Sequence, residues 1–311
     1  NEQTGKQIWE LELTPEYEDD GHISGGLAYE NGHLYVATGF ALLFAIDADN
    51  GQTLWVSKTE APIRAAPTAR GNRVFIITLN NKLVAYDGRD GTSLWTYQGI
   101  SETASLLGGA SPAVDQGVVV AAFSSGDVVA LRVENGNEIW TENIGSARRA
   151  DNVSALAAIR GRPIIDRGRV YVISNSGTFA ALDLQNGRRF WSQELSSQET
   201  PWIAGDYLFV ITPDSQLVAT HRNNGRIHWI TQLPKWEDEE ERKGQLTWST
   251  PILVSNRLII AGSNAEAYSV SPYDGKILGR VEMPDKITVP PLAANNSLYF
   301  LSDGADLVAY R

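Results

Sequence analysis

Short apolar runs and polar turns alternate along the chain on a steady beat. HLYVAT (33–38), RVFIIT (73–78), GVVVAA (117–122), RVYVIS (169–174), YLFVIT (207–212) and RLIIAG (257–262) are rich in β-branched and aromatic residues. A second run follows each of the first five: LLFAI, KLVAY, DVVAL, TFAAL and QLVAT. Runs of this length and composition, bounded by Gly, Asn and Asp, predict strands.

A hexamer closes each unit. It reads TGKQIW (4–9), NGQTLW (50–55), DGTSLW (90–95), NGNEIW (135–140), NGRRFW (186–191) and NGRIHW (224–229), with a degenerate DGKILG at 274–279. The Gly-to-Gly intervals are 46, 40, 45, 51, 38 and 50 residues. Six residues before the Gly stands Ala45, Ala85, Ala130, Ala181 or Ala219, with Ser269 in the degenerate copy. Each unit therefore predicts four antiparallel strands, the last entered through an Asn/Asp-Gly hairpin with positive φ at both central residues. That period is the period of a β-propeller blade.

The residue before the Trp is also apolar in most copies. Adjacent strand residues point to opposite faces, so the pair predicts a last strand covered on both sides. A Trp that recurs in almost every unit reads as blade-to-blade packing rather than as a ligand platform, because ligand sites are few per protein.

Complete blades are expected at 22–55, 62–95, 108–140, 153–191, 200–229 and 248–279. The tail 286–311 adds three strands and the head 1–9 one, making seven all-β, four-stranded antiparallel blades in one propeller domain, 1–311. Arg311 and Asn1 both fall four residues before a repeat Gly position, so head and tail overlap by one position. The overlap is met by a bulge or by strands upstream that raise the intact protein to eight blades.

Composition narrows the chemistry. The 311 residues carry a net charge of −11, which argues against nucleic acid and against adsorption to an anionic membrane. There is no cysteine, hence no disulfide and no Cys-based catalysis or metal site in this segment. His22, His33, His221 and His228 form no HExxH pair, and His228 reads as a core or rim residue. IDADNG (46–51) lacks the acid ladder and distal Glu of a calcium loop. No catalytic, metal or cofactor-binding residue is assigned. The acidic runs EYEDD (16–20) and EDEEER (237–242) read as solvated loops between blades.

Candidate function lies where the repeat is interrupted: TASLLGGASP (103–112), IRGRPIID (159–166) and LPKWEDEEERKG (233–244). Leu106 and Leu107 sit in a connection beside two glycines, as an apolar anchor for a partner or as packing under a blade edge.

The Ala-x-Asp…(Asn/Asp)-Gly-x-x-x-Trp repeat, as in AIDADNGQTLW (45–55), resembles the PQQ-like β-propeller family. Its quinone-dependent dehydrogenases carry a vicinal Cys pair, calcium ligands and large insertions, and match this chain poorly. The BamB family of outer-membrane assembly lipoproteins is the closer resemblance, through LLGGASPAV, IRGRPIID and TPWIAGDYLFVIT. That resemblance implies eight blades and a cofactor-free, non-enzymatic, monomeric scaffold on the periplasmic side of the outer membrane. It implies a lipid on an N-terminal Cys that this chain lacks, and BamA as partner. The family's LSLRG-type contact loop falls on ASLLG, with Ser105 and Leu106 on the motif and Leu107 where an Arg is usual. Its acidic pair falls on Ala158 and Arg160, a departure that moves charge across the interface. Ser105, Leu106, Leu107, Arg160 and Arg162 are the expected partner-binding residues. The alternative reading is a quinone-dependent or other ligand- or protein-binding propeller.

Overall fold

The computed structural model describes residues 1, 4–14, 25–63, 65–100, 109–145 and 159–311. Among them there is no helix. Six sheets are four-stranded meanders in sequential order, and a seventh has three strands. The fold is the seven-bladed all-β propeller that the repeat predicts. By contact the chain forms two compact units, 1–168 with 184–187, and 169–183 with 188–311.

The first blade shows the plan. Gly26–Glu30, His33–Ala37, Leu42–Asp47 and Thr53–Lys58 follow one another across the sheet. In the second blade the two middle strands, Arg73–Ile77 and Lys82–Asp87, are buried over nearly their whole length. Continuous burial requires cover on both faces, and it explains why these runs are apolar without alternation. Ala45, Ala85, Ala130, Ala181 and Ala219 are fully buried at the sheet centre.

The last strand departs from expectation. Ala45 pairs with Trp55 and Ile46 with Thr53, so Leu54 has no partner. Leu94, Ile139, Phe190, His228 and Leu278 are skipped in the same way. Each is the extra residue of a β-bulge, which interrupts the alternation of faces. Leu54, Leu94, Phe190 and Leu278 are therefore 39–50% exposed rather than covered. The Trp remains the inward residue.

The turn also differs from the expected type. Of residues 48–51 only Gly51 has positive φ, +75°. Its N–H donates to Asp47 O at 2.9 Å, closing a longer turn than a two-residue hairpin. Asn50 instead accepts, through Oδ1, the N–H of Gln52 at 2.8 Å. Asp90, Asn135 and Asn224 do the same in their own turns. The Asn/Asp thus caps the residue after the Gly. Asp47, in the calcium-like stretch, uses Oδ1 to accept the N–H of Asp49.

Gly and Trp recur together because each Trp meets the Gly of the following blade. A Cβ built on Gly91 would lie 2.6 Å from Trp55, and one on Gly136 2.6 Å from Trp95. The indole N–H then donates to the carbonyl three residues before that Gly. The pairs are Trp9–Ala48, Trp55–Gly88, Trp95–Val133, Trp140–Leu184, Trp191–Arg222 and Trp229–Pro272, all 2.8–3.0 Å. Trp9 therefore sits on the first blade as the later tryptophans sit on theirs. The head does not supply the expected strand: residues 4–14 carry none, and the last sheet, ending in Leu307–Tyr310, has three.

Candidate partner-binding site

The third blade opens with the strand Ala113–Asp115, the fourth with Ile164–Asp166. These two inner strands are neighbours in the first unit. Each is entered from an interruption of the repeat.

The segment entering the fourth blade alternates. Ile159, Gly161 and Pro163 are buried, whereas Arg160 is half-buried and Arg162 exposed. The segment carries no strand until Ile164 and bends at Gly161, so the alternation is one of burial and not of strand sides. Ile159 anchors the segment at 2% exposure. Arg160 and Arg162 are thus less buried than their neighbours, although burial around the Arg162 guanidinium pushes its pKa below the usual arginine range. Arginine there offers a planar fork of donors suited to carboxylates.

Ser105, Leu106 and Leu107 lie outside the described residues, as does the acidic run 16–20. The far end of the 103–112 loop is pinned: Ala110 is buried and Pro112 O accepts the hydroxyl of Thr68 at 2.6 Å. The second acidic run differs from the expected loop. Trp236–Asp238 and Lys243–Gln245 pair as a two-stranded hairpin with its acidic tip exposed.

His228 is exposed at its bulge, with its ring 5.0 Å from that of Tyr207. Sequence reasoning missed the neighbouring cation–π pair, in which Arg169 lies 4.7 Å over Phe190. No cluster of three or more His, Asp or Glu able to hold a metal occurs among the described residues.

A family model described as outer membrane protein assembly factor BamB matches residues 1–231. The outer membrane protein assembly factor BamB of Yersinia pestis is 25% identical over 302 residues, covering 95% of this chain and 75% of that protein. The Salmonella typhimurium protein of the same name is 26% identical over 313 residues, covering 98% and 77%. Among solved structures, BamB from Moraxella catarrhalis matches with a TM-score of 0.82 at 23% identity, over 92% of this chain and 84% of that one. A quinohemoprotein alcohol dehydrogenase from Comamonas testosteroni shares the fold at a TM-score of 0.60 and 11% identity, over 89% and 70%.

Proposed function

The chain belongs to the family of outer membrane protein assembly factor BamB, and from that membership we propose that it assists outer-membrane protein assembly. It acts as a non-enzymatic scaffold on the periplasmic side of the outer membrane, attached there through a lipid. Its partner is the periplasmic part of BamA. The observation that carries this reading is the family match, which spans residues 1–231 of the repeat. Relatives named as assembly factors align over nearly the whole chain.

The partner-binding residues are Ser105, Leu106, Leu107, Arg160 and Arg162. Two features support the choice. The segments holding them lead into neighbouring inner strands. Arg160 and Arg162 are less buried than Ile159, Gly161 and Pro163 around them. The leucines supply the apolar anchor that interfaces place at their centre. The arginines add charge-assisted hydrogen bonds at its edge.

The test is a pull-down with the periplasmic domains of BamA. A Leu106→Glu, Arg160→Glu double variant, with an unchanged melting curve, should lose binding at least tenfold. Undiminished binding by that variant would overturn the site, and no binding by the natural chain would overturn the partner.

A further inference from the structure

The chain holds five Asn-Gly pairs, at 31–32, 50–51, 135–136, 186–187 and 224–225. Four belong to the repeat turn, where both residues are tied down. Gly51, Gly136 and Gly225 each donate their N–H to the carbonyl four residues earlier, at 2.8–2.9 Å. Asn50, Asn135 and Asn224 each accept, through Oδ1, the N–H two residues on, at 2.8–3.0 Å. All four glycines lie under an indole: an added Cβ would come within 2.6–2.8 Å of Trp9, Trp95, Trp140 or Trp191.

Asn31-Gly32 differs in each respect. It is a two-residue hairpin between Gly26–Glu30 and His33–Ala37, closed by the pair Glu30–His33, with φ +50° at Asn31 and +83° at Gly32. Asn-Gly suits this primed turn because both central residues take positive φ. Among the described residues nothing accepts the Gly32 N–H, and the exposed Asn31 side chain makes no hydrogen bond. An added Cβ on Gly32 meets nothing within 4 Å. The first strand of the hairpin pairs on one side only, and its Leu27 and Tyr29 are 62% and 63% exposed. Local opening there gives up little packing and costs little.

One reaction separates the two settings. In an Asn-Gly pair the main-chain nitrogen of Gly can attack Cγ of the Asn side chain, since glycine has no Cβ to obstruct the approach. The N–Cγ bond forms, the Cγ–Nδ2 bond breaks, and the Gly amide proton leaves with the side-chain nitrogen as ammonia. Water then opens the cyclic imide at either carbonyl, giving aspartate or isoaspartate. The nitrogen attacks as it loses its proton, so an N–H held by an acceptor is the poorer nucleophile. The turn must also open far enough to bring Cγ onto the nitrogen. In the repeat turns these moves break hydrogen bonds or displace an indole. At Asn31 they do neither.

We propose that Asn31 is a modification site, at which the folded protein converts asparagine to aspartate and isoaspartate through the Gly32 nitrogen. Either product adds a carboxylate next to Glu30. The Glu30 carboxylate accepts the N–H of Gly71 at 2.7 Å and of Asn72 at 3.2 Å, and so ties the first blade to the second. Isoaspartate also inserts a methylene into the main chain of a two-residue turn, which disturbs the Glu30–His33 register. The inference is independent of the BamA-binding site above.

The experiment ages the full chain in mildly alkaline buffer, once folded and once in denaturant. Tryptic digestion and fragmentation mass spectrometry then read each site. Asn31 and Asn50 fall on one tryptic peptide, Gln7–Lys58, so Asn50 is an internal reference for Asn31. In the folded protein Asn31 should convert at least tenfold faster than Asn50, Asn135, Asn186 or Asn224, and should yield two acid forms of equal mass. In denaturant the five sites should convert at similar rates, because the turns that distinguish them are gone. Similar rates at Asn31 and the repeat turns of the folded protein would overturn the proposal. So would no conversion at Asn31 in the folded protein while the denatured chain converts there, or aspartate as the only product. A tenfold lead for Asn31 that persists in denaturant would overturn it too, since local sequence rather than the fold would then set the rate.

Discussion

Trp55 packs against Gly91 of the following blade, 36 residues on. A Cβ on Gly91 would lie 2.6 Å from the indole, and the indole N–H donates to Gly88 O at 2.9 Å. Every other repeat Trp makes the same pair of contacts. The Gly is therefore needed twice, once for its left-handed backbone and once for the space the Trp fills.

These two requirements separate in the third blade. Gly117 has φ +77° and nothing within 4 Å of an added Cβ, whereas Gly136 has φ +71° and the Trp95 ring at 2.6 Å. Gly117→Ala should cost about 1–2 kcal/mol, the left-handed penalty alone. Gly136→Ala adds an overpacking cost and should reach about 2–5 kcal/mol. Denaturant titration of the two variants checks this, and equal losses would remove the Trp contact as the reason.

The complementary change is at the indole. Trp95 packs beside Phe75, with ring centroids 5.9 Å apart, and donates to Val133 O at 3.0 Å. Trp95→Ala should cost about 3–5 kcal/mol. Trp95→Phe keeps most of the ring but loses the donor, and should cost about 1–3 kcal/mol, since Val133 O is left without this donor. A loss below 1 kcal/mol for the alanine variant would return the Trp to the status of a surface residue.

The blades were legible in the sequence because the repeat is periodic along the chain. The direction of the Trp contact was not, because Trp55 and Gly91 belong to different copies and only folding joins them. The exposure of Leu54 and Leu94 was missed for a different reason. A bulge shifts alternation by one residue, and an apolar pair in a strand carries no mark of it. Arg160 and Arg162 stand out in the sequence as charges in an interruption of the repeat, but the burial of Ile159, Gly161 and Pro163 around them carries no mark there.

Acid should expose one turn contact. Arg89 donates to Asp87 through its side chain and its backbone N–H, holding the Asp87 carboxyl down at about 2. A folded-state value below the unfolded one, about 3.9, contributes stability above the unfolded value. That contribution is lost as pH falls from about 4 through about 2. Asp87→Asn should therefore lower the melting temperature in the neutral range and flatten part of its fall over that window, the two proteins converging below about pH 2. Because Arg89 is 77% exposed, salt at about 1 M should shrink the difference. Identical acid limbs for the two proteins, measured at low salt, would rule the contact out as a contributor.

The sixth blade lacks its Trp, and the consequence is open space. Gly279 stands opposite Ser269, and a Cβ there meets nothing within 4 Å. A groove of about 330 Å³ opens beside it, lined by Ile259, Val281, Leu298, Phe300 and Tyr310. In the first five blades this position holds an indole over a fully buried Ala. Gly279→Trp should fill the groove and remove apolar surface from water. A gain of about 1–3 kcal/mol is expected, the size of burying one large apolar side chain. The strand interior also gains because a residue with a side chain replaces Gly. Ser269→Ala in the same background should add a little more, since Ser269 Oγ is buried without a partner. Thermal unfolding of the single and double variants checks both steps, and a fall in melting temperature on Gly279→Trp would mean that the groove is not shaped for the indole that its repeat position predicts.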